Sequence, residues 1–90
     1  MRAVSVKRAR QLREYRKLRD AFLELYPHCQ WPEGCYRFAD VVHHRRGRRG
    51  VRLLDTDWWA ASCDHHNDYA ETETGICLAN GWLVRIEGAA

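Results

Sequence analysis

Apolar residues recur at steps of three and four through residues 7–25, at Leu12, Tyr15, Leu18, Phe22 and Leu25. This is the spacing of one face of an amphipathic helix, and Arg10, Arg13, Arg16, Lys17 and Asp20 fill the opposite face. Ordinary core packing accounts for the apolar stripe. Pro27 ends the pattern, because its ring cannot continue a helix. Further on the runs are shorter. Val41 and Val42 stand beside two histidines in DVVHH and predict a short strand, and residues 51–54 (VRLL) predict a second one, with the loop RRGRRG between them. Asp55, Thr56 and Asp57 then make a turn, and WWAASC leads to Cys63. The polar run DHHNDYAETE predicts a short helix opening near Asp64, with Gly75 placed to stop it. A final apolar stretch, residues 76–86, contains an Asn80-Gly81 turn and predicts a terminal hairpin or a packed tail. Internal repeats and low-complexity tracts are absent from the sequence. Helix and strand segments in this order predict an α+β domain.

Ninety residues make one domain with a marginal core. Chains of this size usually need disulfides, a structural metal or oligomerisation, and four cysteines with five histidines make metal the first candidate. The N-terminal MRAVSVKRARQLREYRK has no apolar signal region, and no later run approaches the ~18 apolar residues of a membrane span. A cytoplasmic location is therefore expected, where thiolates outlast disulfides.

The net charge of +3 is modest but unevenly spread. Eight of the 15 lysines and arginines precede Tyr26, and Arg45, Arg46, Arg48, Arg49 and Arg52 fall within eight residues interrupted by Gly47 and Gly50. Glycine lets a backbone approach phosphate closely, and guanidinium matches phosphate oxygens two at a time. These five arginines are the expected contacts to a polyanionic partner.

Cys29 and Cys35 flank QWPEG, whose Pro and Gly mark a tight loop that brings two sulfurs together. Cys63 and His66 form a second pair, at i and i+3 at the mouth of the predicted helix. Two local pairs of soft or borderline ligands are what a closed tetrahedral zinc site needs. Cys77 belongs to neither pair and, between Ile76 and Leu78, is expected to be a small buried hydrophobe. A further set is His43, His44 and Asn67. Neighbouring side chains on a strand point to opposite faces, so the two histidines are expected to divide the work, one binding metal and the other facing substrate water. Asn67 follows His66 and projects about 100° away from it around the helix.

The segments HCQWPEGCYRFADVVHHRRGRRG and LLDTDWWAASCDHHN, preceded by the basic helix KRARQLREYRKLRDAFLELYP, resemble the HNH endonucleases, in particular short phage-type zinc-containing members, over roughly residues 7–70. The resemblance implies a small ββα-metal finger carrying an N-terminal amphipathic helix and a structural zinc. It divides the single domain into a basic helix (1–27), a knuckle and ββα-metal core (28–74) and a C-terminal tail (75–90). It implies a zinc held by Cys29, Cys35, Cys63 and His66, a catalytic cation held by His43 and Asn67, and His44 as the general base. An amide oxygen at Asn67 suits Mg²⁺ or Mn²⁺. Glu71, one helical turn on, is a candidate third ligand. The family's middle Asn has no counterpart here; Asp57 lies near its place and is the candidate acceptor for holding His44 in the right tautomer. The activity implied is cleavage of DNA phosphodiester bonds, with phage terminase or another packaging protein as the family-level partner. The same knuckle and arginines without a working cation site would instead make a non-catalytic, zinc-stabilised nucleic-acid-binding module.

Overall fold

The computed structural model describes residues 5–85, so Ile86, the end of the apolar stretch, lies outside the described residues. Three helices and a two-stranded antiparallel sheet make a small α+β unit. Helix α1 spans Val6–Leu25, and Ser5 starts it by accepting the Arg8 backbone N–H at 3.0 Å, which satisfies one of the orphan donors of the first turn. Its apolar face packs as predicted: buried Tyr15 and half-buried Leu12, Leu18, Phe22 and Leu23 rest on Val42, Leu53 and Trp59. The charged residues named for the opposite face are all exposed. Leu25 departs from the pattern and is 74% exposed. A 20-residue helix is about 30 Å long and a four-residue strand about 13 Å, so the last turn of α1 outruns the sheet it covers.

Strand β1 is Val41–His44, where the valines place it. Its partner β2 is Trp59–Ser62, paired Val41↔Ser62, Val42↔Ala61, His43↔Ala60 and His44↔Trp59. Residues 51–54 do not form the expected second strand. Gly50, at φ 56, turns the chain into a 3₁₀ helix over Gly50–Leu54, and the fully buried Leu53 points into the α1 side of the core. A four-residue apolar run carries no periodicity able to separate strand from turn. The pairing fell instead to the buried WAAS segment, whose alanines let both faces be covered closely.

The loop between Cys29 and Cys35 turns at Gly34, φ 95, and is closed by a single antiparallel bridge between His28 and Phe38. It docks on the outer edge of β2: the Gln30 backbone N–H donates to the Ala61 carbonyl, and the Gln30 side-chain oxygen accepts the Ala61 N–H, each at 2.8 Å. Helix α2, Asp64–Thr72, opens where the polar run predicts, with Cys63 at its cap. Gly75 does not stop it. The break falls at Glu73, the Thr74 hydroxyl donates to the Ala70 carbonyl at 3.1 Å, and Gly75 lies inside α3, Thr74–Asn80. Asn80-Gly81 closes that helix through a left-handed Gly81, φ 85, rather than turning a hairpin. The chain beyond it packs as a tail: Leu83 N–H donates to Cys77 and Val84 N–H to Arg45. Among the described residues, no helix is long and apolar enough to cross a membrane.

The core is split by the sheet. One cluster joins Tyr15, Val42, Leu53 and Trp59 under α1; the other joins Cys29, Trp31, Ala60, Cys63, Cys77 and Trp82. Alternation along β1 sends Val42 and His44 to the first side and His43 to the second.

Candidate functional site

The knuckle, β2 and the first turn of α2 converge on four ligand atoms. The thiols of Cys29, Cys35 and Cys63 and an imidazole nitrogen of His66 all lie within 4.8 Å of one another. Individual separations are 3.4 Å from Cys63 Sγ to His66 Nδ1, 3.6 Å from Cys29 Sγ to the same nitrogen, and 4.0 Å between Cys35 and Cys63. A tetrahedral zinc with its usual bond lengths sets its ligand atoms about 3.5–3.8 Å apart. The cluster can therefore hold a metal such as zinc, with the four residues that the paired spacing singled out. All four cysteines are free of disulfides, and Cys77, fully buried, stands apart from the cluster. Burial pushes the Cys29 thiol up to about 11, against hydrogen bonds from the Cys63 and Trp31 backbone. A hydrogen bond from the Arg37 backbone draws Cys35 below the ordinary thiol value. Trp31, from inside the knuckle, lies flat on the His66 ring at 4.4 Å and 11°.

On the other edge of the sheet a cleft of about 390 Å³ is lined by Tyr15 from α1, all four residues of β1, Arg48, Leu83, and Asn67, Ala70 and Glu71 from α2. Its position resolves the problem of two adjacent histidines. Strand β1 is paired on one side only, with α1 over one face and α2 over the other, so rings from opposite faces reach the same opening along its free edge.

Each imidazole is held by a backbone carbonyl. His43 donates from Nε2 to the Trp82 carbonyl at 2.6 Å, and His44 donates from Nε2 to the Leu53 carbonyl at 3.2 Å. These bonds make Nε2 the protonated nitrogen and leave Nδ1 with the lone pair in both rings. Burial lowers the pKa of both. For His43 it is opposed by the Trp82 carbonyl and by the Asn67 side chain, which lines the same cleft. For His44 burial outweighs the Leu53 carbonyl, and the charge of Arg48 adds to the fall, down to about 4. The His44 imidazole is thus a free base at neutral pH.

Asp57 is not the acceptor for His44. It is exposed on a separate groove with Leu18, Ala21, Phe22, Leu25, Tyr26 and Thr56, and the Leu53 carbonyl does what Asp57 was expected to do. Glu71 is exposed and lines the cleft four residues beyond Asn67. The five loop arginines separate. Arg45 donates to the Gly81 carbonyl and stacks on Trp58, Arg46 also stacks on Trp58, and Arg52 reaches the carbonyls of Arg46 and Arg49. Only Arg48 of the five lines the cleft, its guanidinium 5.2 Å from the centre of the Tyr15 ring, which itself lies 5.5 Å from His44. Arg49 is exposed outside it.

Sequence reasoning passed over Tyr15, Trp31, Trp82 and the Leu53 carbonyl. Tyr15 carries a faint signal, a hydroxyl-bearing ring in a stripe of Leu and Phe; a backbone acceptor carries none. Compared with protein-family models, curated proteins and solved structures, the chain matches none of them.

Proposed function

We propose that this chain is a zinc-stabilised, metal-dependent DNA endonuclease of the HNH type. The observation that carries the reading is the shared cleft: a free-base imidazole, His44, oriented by a carbonyl and set beside a second imidazole, an amide and a guanidinium. Cys29, Cys35, Cys63 and His66 hold the zinc, which leaves no position open for chemistry and serves folding. His43 Nδ1 and the Asn67 amide oxygen, which line this cleft with the Glu71 carboxylate, would hold Mg²⁺ or Mn²⁺; hard oxygen donors around one imidazole suit those ions. When bound, such a cation would supply electrostatic stabilisation of the negative charge that develops at the phosphate.

The chain's own residues do the rest. His44 accepts a proton from water at Nδ1 while Nε2–H stays bonded to the Leu53 carbonyl, a general-base contribution on the order of 10²–10⁴-fold. A strongly lowered pKa keeps the base available at neutral pH, at a cost in basicity. Arg48, braced on Tyr15, meets a phosphate oxygen at the mouth of the cleft and fixes the register of the duplex without reading its sequence. Arg45, Arg46 and Arg52 shape the loop that presents it. Recruitment by a packaging protein such as phage terminase is the partner that the family resemblance supplies.

A second reading has one observation in its favour. His43 and His44 are only 4% and 7% exposed and both bonded to backbone, as structural histidines are. On that reading the chain is a non-catalytic zinc module that binds nucleic acid. Supercoiled plasmid incubated with wild type and His44→Ala in EDTA, Mg²⁺ or Mn²⁺ separates the two. The nuclease nicks only with added cation, and the variant keeps its zinc and its DNA binding while losing cleavage. Zinc and DNA binding in both proteins, with cutting in neither under any cation, would overturn the enzyme in favour of the module.

A further inference from the structure

Trp82 belongs to neither ligand set, yet it touches both. It is 2% exposed, and its indole lies flat on the His43 imidazole at 4.5 Å and 17°. Its backbone carbonyl accepts the His43 Nε2–H at 2.6 Å, so the imidazole is gripped by its face and by its far nitrogen at once. From the same side chain Nε1–H donates to the His66 carbonyl at 2.9 Å, in the first turn of α2 and one residue before Asn67. The indole also meets Trp31, ring centroids 5.4 Å apart at 74°, and Trp31 is the ring stacked on His66. One residue thus ties β1, which carries His43, to the turn of α2 that carries both His66 and Asn67.

The position of Trp82 is itself secured. Its N–H donates to the Asn80 side-chain oxygen at 3.0 Å, Gly81 supplies the left-handed turn that swings it inward, and its neighbours are bonded to Cys77 and Arg45.

We infer that Trp82 is the positioning residue of the cation site, holding His43 in one tautomer and at one separation from Asn67, and coupling that separation to the Cys29–Cys35–Cys63–His66 cluster. The inference rests on the proposed placement of a cation at His43 and Asn67. Groups that orient a metal's imidazole ligand typically change metal affinity by roughly 10–100-fold when removed. In Trp82→Phe the carbonyl to His43 survives, whereas the hydrogen bond to His66 and part of the stacking surface are lost.

The test is Mn²⁺ binding to the zinc-loaded full chain, followed by the Mn²⁺ paramagnetic resonance signal, with zinc per chain measured alongside. Wild type is expected to bind one Mn²⁺ in a manner abolished by His43→Ala. Trp82→Phe is expected to keep its zinc and weaken Mn²⁺ binding about tenfold. Asn80→Ala keeps the indole and removes the acceptor of the Trp82 backbone N–H, together with an exposed bond to Glu33, so it is expected to weaken binding about fivefold, the worth of one hydrogen bond. It also stands in if Trp82→Phe loses zinc. Unchanged Mn²⁺ affinity in a variant that retains zinc overturns the role of Trp82, as does a wild-type Mn²⁺ site indifferent to His43→Ala. Mn²⁺ binding that follows the expected order in a protein that cuts no DNA sustains the role of Trp82 and overturns the nuclease instead.

Discussion

The two faces of the sheet are built by different means. Beneath α1 the packing is of the ordinary kind: Tyr15, Leu53, Val42 and Trp59 exclude water, and half-buried leucines seal the margin. On the opposite face three cysteines, two tryptophans and an alanine are the buried set, and the α2 and α3 helices that enclose them are nine and seven residues long. Helices that short are marginal without tertiary support. One face is therefore built on area removed from water, whereas the other sets beside its two tryptophans a cluster that can hold a metal. The cleft lies along the edge where the two faces meet, and each contributes one histidine.

That contrast can be broken most forcefully at the metal. Stripping it with a strong chelator is expected to remove on the order of 10 kcal/mol of folding free energy. The near-ultraviolet signal of the packed tryptophans should collapse and return on adding zinc. Survival of that signal in metal-free protein would mean that the cysteine face is held by packing after all. At the shared edge, His44→Ala is expected to lower nicking by roughly 10²–10⁴-fold while zinc content and DNA retardation stay unchanged. A parallel loss of zinc would tie His44 to the fold rather than to the chemistry.

On the α1 face, Leu53→Ala removes a fully buried side chain and should cost about 2–5 kcal/mol in thermal or denaturant unfolding of the zinc-loaded protein. Zinc per chain is expected to hold, since Leu53 is in the other cluster. The smallest effect is expected at the rim. Arg48→Ala should reduce the salt dependence of DNA binding by about one unit of slope, the signature of one lost phosphate contact, with little change in stability. Arg46→Ala, in contrast, should lower stability and leave that slope nearly unchanged, because Arg46 stacks on Trp58, outside the loop. Equal slopes for the two variants would return the whole arginine run to a diffuse electrostatic role.

Much of this was legible along the chain, for local reasons. A 3.6-residue period is written directly in residues 7–25, and two ligand pairs at short spacing bring their own geometry with them, so α1 and the Cys29–Cys35–Cys63–His66 cluster could be read early. The second strand could not, because a short apolar run such as residues 51–54 says nothing of its partner; that run forms a 3₁₀ helix, and β2 lies a few residues further on in the segment leading to Cys63. Gly75 was misplaced as a helix stop for a similar reason. A glycine closes a helix where the backbone needs a positive φ; α2 ends at Glu73 without one, and it is Gly81 that closes α3.

By itself, the sequence determined the α+β class, the amphipathic first helix, the four-ligand cluster and the inert Cys77, because periodicity and spacing act between residues close in the chain. Only the tertiary structure decided that His43 and His44 open onto one cleft, since that depends on which edge of β1 stays unpaired. It also selected Arg48 from five similar arginines and gave the role expected of Asp57 to the Leu53 carbonyl. Trp82, 39 residues from His43, became its clamp in the same way. Backbone acceptors look alike at every position in a sequence, and long-range stacking is specified by where elements pack, so neither leaves a local mark.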